Sequence, residues 1–330
     1  MNREDPQFYN IYELPWRTDR GEHEILHGLE SRLLSRNRRT GAATYMARLP
    51  AGWRTSIKAD QDTVECFVLE GDITVNDRSL GSTGFAGIPQ WTGPVRLSSQ
   101  GGAVVYLFIT PDLPLPAYTA GITISDVWNE PWQLIDMTGV RHGIMFKSLR
   151  IPDPAQGALH GGPGGFLRMT LCTPGFMEPR HEIHHNCWEE ILILRGDLLM
   201  RDRGLHTGGT YLGNPAHLWH YPSASQGGCL LLIQCDAPMD VEFRDYQGGY
   251  ETLCSYLQTA SWLDEPEHTD WHEPVELQYS YGGTAFGMES EAPPLGASPN
   301  GAPDGRPHIV VPSASGEPTP GIERAESATG

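Results

Sequence analysis

The sequence predicts an all-β protein made of two small antiparallel β-sandwiches or barrels of the jelly-roll type. Three observations support this prediction: short strand-like runs of β-forming residues, a high content of turn residues (38 Gly and 27 Pro) and an internal repeat. With 330 residues, the chain is long enough for two domains of ordinary size, each with its own core. We therefore expect two similar β domains and a few short helices.

The internal repeat relates LEGDITVNDRSL (69–80) to LRGDLLMRDRGL (194–205). Six of these twelve positions are identical at an offset of 125. Further along, the tetrapeptide SQGG recurs at 99–102 and 225–228, at an offset of 126, so one inserted residue explains the change. Matches of this length in the same order indicate two copies of one β domain.

A histidine-rich stretch in the second copy is the strongest chemical signal. Six of the 13 histidines lie between residues 181 and 220, and Glu189 stands among them directly before an apolar strand-like run. Neutral imidazole nitrogens and a carboxylate oxygen are the ligands that Fe²⁺, Zn²⁺, Mn²⁺ or Ni²⁺ bind in proteins. A site for one divalent transition metal is therefore the first hypothesis for this region.

Strand geometry leaves the ligand set partly open. Alternate residues of a strand share a face, so His181 and His185 point one way and His184 the other. Either His184 or His185 can reach an ion beside Glu189, depending on whether a β-bulge intervenes, and His181 joins only if the strand bends. The predicted metal ligands are His181, His184, His185, Glu189 and His220.

The first copy has no comparable ligand set. The repeat places Val64 opposite Glu189 and Pro94 opposite His220, and no histidine occurs between residues 41 and 141. If the histidines of the second copy served folding alone, the first copy would be expected to keep some of them. We infer that the first copy is structural or shapes a pocket or an oligomer interface, and that the second copy holds the ion.

Both histidine segments resemble the two motifs of the cupin superfamily, G-x5-H-x-H-x3–4-E-x6-G and G-x5-P-x-G-x2-H. Six residues separate Glu189 from Gly196, and Pro215 and His220 match the second motif. The chain departs from the pattern where the H-x-H pair is spread over three histidines, and where His217 replaces the usual glycine. The run YLGNPAHLWHYPS and the following QGGC resemble the ChrR-like cupins. This resemblance implies a bicupin with the metal in the mouth of the second barrel.

Changes in composition along the chain, together with the resemblance, predict six segments. The last of them is rich in Pro, Gly, Ser, Ala and Glu, so it cannot bury enough apolar surface to offset its ordering entropy. The predicted segments are an N-terminal extension (1–40), a degenerate cupin domain without metal ligands (41–120), a linker with inter-domain strands (121–164), a metal-binding cupin domain (165–245), a C-terminal packing segment (246–282) and a disordered tail (283–330).

Three residues besides the ligands are candidates for a catalytic role. His217 is expected to hydrogen-bond a metal ligand or to form a wall of the pocket, since metal-bound side chains generally need such partners. Trp188 and Tyr211, together with Trp219 and Tyr221, are expected to give the pocket an aromatic lining.

Two neighbours of the ligands are given other roles. Glu190 points away from Glu189, to the surface or into a salt bridge, and its repeat partner is Glu65, which indicates a structural role in both copies. Cys187 is expected to line or back the site, because no base is positioned to make it a nucleophile.

Charge and cysteine content exclude several classes of protein. A net charge of −18 argues against binding of nucleic acid or of an anionic membrane. The six cysteines are isolated, without a C-x-x-C pair, which favours neither a zinc knuckle nor a disulfide scaffold. No apolar signal region or membrane span is visible. We expect a cytoplasmic protein that binds a small molecule and, with iron, O₂; a homodimer is the assembly considered, because two-domain cupins often pair.

These features predict a mononuclear metal-dependent enzyme. The resemblance to cupin dioxygenases of hydroxylated ketones and diketones favours Fe(II) and an oxygenase or dioxygenase acting on a small aromatic, hydroxyketone or polyketide-like substrate. With Zn(II), Mn(II) or Ni(II), or with a metal that acts only as a Lewis acid, the same ligands serve an isomerase, cyclase or decarboxylase. The alternative from another class is a non-catalytic, Zn-binding, ChrR-like sensor module.

Overall fold

The fold is known from a computed structural model. The chain forms two units, Met1–Met288 and Glu289–Gly330, and every described residue belongs to the first. The predicted tail (283–330) and most of the predicted packing segment (246–282) lie outside the described residues. The structure describes residues 2–18, 23–59, 62–113, 121–134, 143–150, 164–178, 181–200, 203–220, 222–245, 248 and 250–258.

Strands make up most of the described residues, so the all-β prediction is confirmed. Up to the linker, the strands are β1 (Gln7–Asn10), β2 (Arg17–Thr18), β3 (Glu30–Arg36), β4 (Ala43–Leu49), β5 (Trp53–Ala59), β6 (Asp62–Gly71), β7 (Ile73–Val75), β8 (Arg78–Leu80), β9 (Gly84–Ile88), β10 (Thr92–Ser99), β11 (Ala103–Pro111) and β12 (Thr123–Asp126). They continue as β13 (Gln133–Leu134), β14 (Ile144–Arg150), β15 (Phe166–Cys172), β16 (Phe176–Met177), β17 (His181–His185), β18 (Glu189–Met200), β19 (Gly204–Thr207), β20 (Thr210–Asn214), β21 (Ser223–Ser225), β22 (Cys229–Cys235) and β23 (Val241–Asp245).

The described helices are short. Three are single 3₁₀ turns, and the α-helix α1 follows the last strand. None of these helices has the length and apolar character that crossing a membrane requires. The helices are the 3₁₀ turns Ile11–Glu13, Glu24–Leu26 and Val127–Asn129, and α1 (Tyr250–Gln258).

Two large antiparallel sheets share one strand order. A seven-stranded sheet runs β12-β9-β6-β11-β4-β3-β2, and the main path of a ten-stranded sheet runs β1-β20-β18-β22-β15-β14-β13. The small sheet β5-β10-β7-β8 packs on the first and forms the first half of the molecule with it. The second half comprises the ten-stranded sheet, including β16, β19 and β21, and the two-stranded ribbon β17–β23. Equivalent strands of the two halves follow the sequence repeat.

The two halves exchange their edge strands. Strand β1 precedes the first half but pairs with β20 of the second half, with Gln7 opposite Gly213. Strand β12 is the counterpart of β1 at the start of the second half, and it pairs with β9 of the first half, with Thr123 opposite Gly87. The predicted extension (1–40) is therefore largely regular structure, since it supplies β1 to one large sheet and β2 and β3 to the other.

The three largest apolar clusters form most of the core of the described residues, and a fourth, small cluster contains Phe166, Cys187 and Cys235. One lies between the two sheets of the first half and includes Val68, Val75 and Leu107. A second lies inside the second half, and the third joins the faces of the two large sheets, with Phe108 and Leu192 among its members. Each fully buried side chain of this size contributes about 1.5–3 kcal/mol relative to an exposed one. The third cluster therefore holds the halves together.

Two buried carboxylates also connect the halves. Glu65 of β6 accepts hydrogen bonds from Nε and Nη2 of Arg150 in β14, and the Nε–Oε1 distance is 2.8 Å. Glu190 of β18 accepts from Ser35 Oγ of β3 at 2.9 Å and from Thr44 Oγ1 of β4 at 2.6 Å. Each carboxylate is thus bound by the opposite half, and the repeat partners Glu65 and Glu190 have equivalent structural roles.

One turn of the backbone shows how closely the halves match. Gly71 and Gly196 both have left-handed backbones, with φ of +78° and +86°. A Cβ atom at either position would lie about 2 Å from the carbonyl oxygen of Gly102 or Gly228, respectively. Such contacts are sterically forbidden, so both positions need glycine.

Candidate metal centre

The candidate centre lies where the ribbon β17–β23 meets the ten-stranded sheet. Strand β17 brings His185 to the end of the ribbon, and a short turn leads to Glu189, the first residue of β18. His220 joins them through a backbone bridge: Ile183 N–H donates to the His220 carbonyl at 3.1 Å, and His220 N–H donates to the Ile183 carbonyl at 2.9 Å. Two separated segments thus converge on one point.

His185, Glu189 and His220, here called the 2-His-1-Glu group, are the set that the described residues offer for a metal ion. One ligand atom from each residue lies within 4.8 Å of the others. His185 Nε2 is 3.2 Å from both Glu189 Oε2 and His220 Nε2. His185 Nδ1 donates to the Cys187 carbonyl at 2.8 Å, which fixes the ring and leaves Nε2 as the donor atom toward the group.

The electrostatics of the group favour a positive charge between its members. Burial disfavours the charged form of His185, but the Glu189 carboxylate and hydrogen bonds to Cys187 and Glu189 outweigh it and raise the pKa of His185 to about 10. Burial raises the pKa of Glu189, but His185, His220 and Asn214 outweigh this effect and hold it well below the usual range. The carboxylate is therefore ionised, as a metal ligand must be, whereas His185 holds a proton that a metal ion would have to displace from Nε2.

Asn214 holds the carboxylate in place and was not recognised from the sequence. It is fully buried, and its Nδ2 donates to Glu189 Oε2 at 2.9 Å. Its Oδ1 accepts from Arg203 Nη1 at 2.7 Å. In the first half the corresponding cross-strand pair is Val64 and Ile88. The repeat could have revealed this pair. Asn214 and Glu189 are cross-strand partners, and they stand where the first half has the apolar residues Ile88 and Val64.

The other two histidines of β17 lie outside the group. His184 is on the opposite face of the strand, and its Nε2 is 3.1 Å from Glu242 Oε2. His181 lies one pleat away from His185, and its ring packs edge-on against Phe243, with 6.1 Å between the centroids. No bulge occurs in the pairing of β17 with β23, so strand alternation selects His185 and leaves out His184.

His217 is near the group without entering it. Its side chain is exposed, and its ring centroid is 5.7 Å from that of His184, which also packs against Trp219 at 4.2 Å. The backbone N–H of His217 donates to the carbonyl of His185 at 2.7 Å. This contact ties the loop to a ligand residue through the main chain. The left-handed φ of +63° recurs at the repeat partner, Trp91.

Trp188 and Tyr211 lie in the cluster between the large sheets and do not provide the expected aromatic lining. Neighbouring residues of a strand face opposite ways, so Glu189 on the cavity side turns Trp188 and Glu190 to the other side. The Tyr211 hydroxyl donates to Glu190 Oε2. Of the other two residues of the expected lining, Trp219 packs against His184 and is not part of the cavity wall, and Tyr221 lies outside the described residues.

A cavity of about 140 Å³ lies beside the 2-His-1-Glu group. Aliphatic and aromatic side chains form most of its wall, and the ribbon supplies Ile183, Val241 and Phe243. The polar residues of the wall are Arg168, Thr170, Glu178, Glu189, Asn214, His220 and Ser223. An apolar cavity of about 150 Å³ is known to accommodate benzene, so this one has room for a molecule of about one ring.

Comparison with solved structures identifies the fold. No family model matches the sequence, and no curated protein does either. The chain is similar to a proposed dioxygenase from Nostoc punctiforme, with 19% identity, 74% of this chain and 88% of that chain covered, and a TM-score of 0.60. It is also similar to salicylate 1,2-dioxygenase from Pseudaminobacter salicylatoxidans, with 12% identity, 73% of this chain and 89% of that chain covered, and a TM-score of 0.50. For a cupin 2 conserved barrel domain protein from Leptotrichia buccalis, the identity is 12%, the match covers 70% of this chain and 96% of that chain, and the TM-score is 0.46.

These structural neighbours are cupin-fold proteins, and the first two similarities show that this chain has that fold. At such low identity the likeness concerns the fold alone. What the site can do must be argued from its own residues. Glu189 and His220 line a largely apolar cavity, and His185 Nε2 lies 3.2 Å from a ligand atom of each. These two imidazoles and one carboxylate can hold a single metal ion and leave coordination positions open toward a bound molecule.

Proposed function

We propose that the protein is a mononuclear metal-dependent enzyme in which Nε2 of His185, the Glu189 carboxylate and Nε2 of His220 hold the ion. The supporting observation is the convergence of these donors within 4.8 Å beside a cavity that admits a small molecule. Donor chemistry fits the ion, because imidazole and carboxylate are ligands that first-row transition metals accept. Two of the three donors are also held by hydrogen bonds to Cys187 and Asn214.

Fe(II) is the proposed ion, and oxygenase or dioxygenase chemistry is the proposed activity. Two histidines and one carboxylate with open positions form the ligand set that non-haem iron oxygenases use. When bound, Fe(II) would supply redox chemistry and open positions for substrate and O₂. Zn(II), Mn(II) or Ni(II) bind the same donors, and with them the site would act by Lewis-acid catalysis.

The chain's own residues bind and enclose the substrate. The ribbon places Ile183, Val241 and Phe243 over the cavity, where they exclude water from the group and strengthen its electrostatic interactions. Asn214 and the Cys187 carbonyl fix Glu189 and His185 before any ligand arrives, so little reorganisation is needed on binding.

Cavity size narrows the substrate class. A volume of about 140 Å³ favours the small aromatic or hydroxyketone substrates over polyketide-like ones with several rings. Salicylate 1,2-dioxygenase, one of the structural neighbours, is by its name an enzyme for a single-ring molecule. We propose a substrate of that size.

Metal reconstitution followed by an oxygen-uptake assay tests the proposal. The protein is loaded anaerobically with Fe(II), its metal content is measured, and O₂ uptake is recorded with a panel of single-ring hydroxyketones and hydroxyacids. We expect about one Fe per chain and substrate-dependent uptake that His185→Ala abolishes and His184→Ala preserves. Substrate conversion without O₂ uptake would instead indicate a Lewis-acid enzyme. Tightly held four-coordinate zinc without small-molecule binding would indicate the sensor module and overturn the proposal.

A further inference from the structure

One wall of the cavity carries a buried cation. Strand β15 directs Phe166, Arg168, Thr170 and Cys172 toward the cavity, as alternate residues of a strand must. Arg168 is 6% exposed, and its guanidinium carbon lies 3.4 Å from the centroid of the Phe166 ring. A guanidinium stacked on an aromatic ring is held in one orientation. Arg168 is the one lysine or arginine among the described residues of the cavity wall.

Beside this cation lies a hydroxyl group without a protein partner. Thr170 is 2% exposed, and its Oγ1 makes no hydrogen bond to the described residues. Its cross-strand partner on β22 is Leu231, which has no polar side-chain group. A buried hydroxyl without a partner costs about 1–3 kcal/mol. A polar ligand atom in the cavity would remove this cost.

The first half has different residues at the positions of Arg168 and Thr170. In its sheet, Leu107 and Val105 of β11 pair with Tyr45 and Ala47 of β4, in the register in which β22 pairs with Arg168 and Thr170. All four of these residues belong to the apolar cluster between the sheets of that half. Ala47 stands in the place of Thr170, and Tyr45, whose hydroxyl accepts from Arg36 Nη2, stands in the place of Arg168. A buried cation and a buried hydroxyl without a partner among the described residues therefore occur together on this strand only in the half that carries the 2-His-1-Glu group.

We propose that Arg168 and Thr170 bind the carboxylate of a small organic acid, so that the substrate is a monocarboxylate of about one ring. This inference rests on the proposed function for the role of the metal, but the binding itself does not require the metal. The guanidinium fork matches a carboxylate, and the Thr170 hydroxyl donates to one of its oxygens. A second carboxylate is disfavoured, because Glu178 of the same wall is an acid whose Oε2 already accepts from Ser223 N and Oγ at 2.8 and 2.9 Å.

Calorimetric binding of benzoate and of its neutral counterpart benzamide tests this proposal. Both probes are titrated into the full chain in metal-free form and loaded with redox-inert Zn(II). We expect benzoate to bind about ten to a hundred times more tightly than benzamide in both forms, since a hydrogen bond to a charged group is worth that factor. The ratio should fall to about one in Arg168→Gln.

Three further variants separate binding from folding. Arg96→Gln is the matched control, because Arg96 is exposed and pairs with the exposed Asp77, and it should keep the full ratio. Arg168→Lys keeps the charge and should recover part of the preference for benzoate. Thr170→Val removes a hydroxyl without a partner among the described residues, so it should fold normally and weaken benzoate binding about threefold to tenfold.

The outcomes distinguish this proposal from the proposed function. A preference for benzoate that is lost in Arg168→Gln supports the carboxylate site even if no metal binds. Equal binding of the two probes to the wild-type protein overturns it. A preference that appears only with Zn(II), and survives in Arg168→Gln while Glu189→Gln removes it, places the anion on the metal and also overturns it.

Discussion

The two halves of the molecule have the same strand order but differ in a few side chains at equivalent places. In the first half, Val64 lies opposite Ile88 inside an apolar core. In the second half, Glu189 lies opposite Asn214 and beside a cavity. The strands that carry these pairs are paired in the same way in both halves. The strand that carries His185 differs: β17 pairs with β23, whereas its counterpart β5 pairs with β10. A candidate metal centre therefore combines polar residues at shared positions with a change of strand pairing beside them.

What the halves share lies at their interface. Lys147 donates to the carbonyls of Val127 and Trp128 at 2.7 and 3.1 Å and stacks over Trp132. Arg32 occupies the equivalent place in the first half. It donates to the Tyr12 carbonyl at 3.2 Å and stacks over Trp16, with 4.1 Å to the ring centroid. These contacts surround the exchanged strands and recur in both halves, whereas the cavity beside the 2-His-1-Glu group lies in the second half alone among the described residues.

The largest expected effect on stability comes from breaking the buried ion pair between Glu65 and Arg150, which connects the two halves. Arg150→Ala removes the buried guanidinium that pairs with Glu65, which should lower the free energy of unfolding by about 3–5 kcal/mol. Urea denaturation followed by tryptophan fluorescence measures this loss. The matched control is Arg96→Ala, which removes one partner of an exposed pair and should cost about 1 kcal/mol or less. Equal losses for the two variants would show that the Glu65–Arg150 pair does not stabilise the interface.

Conversion of the second half to the pattern of the first should abolish metal binding. Glu189→Val introduces the residue of the first half and removes one of three donors. We expect metal affinity to fall by more than about a hundredfold, beyond the range that loss of an outer partner causes. Metal content by mass spectrometry and calorimetric titration measure the change. His184→Ala should keep full binding, because His184 faces away from the group. Loss of metal in His184→Ala instead would exclude the proposed ligand set.

An intermediate effect is expected from the residue that supports the ligand. Asn214→Ile removes the donor to Glu189 Oε2 and should weaken metal binding about tenfold to a hundredfold, as measured by competition with a chromophoric chelator. The double variant Glu189→Val, Asn214→Ile recreates the apolar pair of the first half. It should unfold at a higher temperature in metal-free form than Asn214→Ile alone. A lower melting temperature would mean that the second half no longer tolerates the apolar pair.

The smallest expected effect is a pH dependence of the free energy of unfolding that comes from Lys147. Burial lowers the pKa of Lys147 from its ordinary value of 10.5 to about 7, although Glu130 and Asp126 oppose the change. Between pH 7 and 10.5, Lys147 is protonated in the unfolded chain but neutral in the folded one. The free energy of unfolding should therefore rise with pH across this window. Lys147→Met should lack this rise, by at least about 1.4 kcal/mol, the equivalent of one pKa unit. A difference between wild type and variant that stays constant from pH 6.5 to 10 would contradict the prediction.

The repeat made much of the fold predictable from the sequence. Its offsets place Gly71 with Gly196 and Gly102 with Gly228, and these glycines make equivalent turns in both halves. The exchange of β1 and β12 was not predictable, because a four-residue strand carries no local signal of its distant partner. Pairing with β20 is decided by packing between the large sheets, which only the assembled structure contains.

The candidate site was predictable in its residue types and less so in its membership. Spacing alone could not choose between His184 and His185, because the choice depends on whether the ribbon contains a bulge. Asn214 and Arg168 were missed for a common reason: a polar residue inside a strand is usually interpreted as solvent-facing. Their burial depends on the register of pairing with β18 and β22, which a single strand does not show.

The exchanged strands give the chain the form of a fused dimer. Two separate copies of the repeat, each lending its leading strand to the other, could make the same contacts across a two-fold axis. Fusion makes this pairing independent of protein concentration. A gene duplication followed by fusion would thus have left the partner copy free to lose its ligands while it still completed its neighbour's sheet. The first half is, in this view, a retained subunit whose remaining duty is architectural.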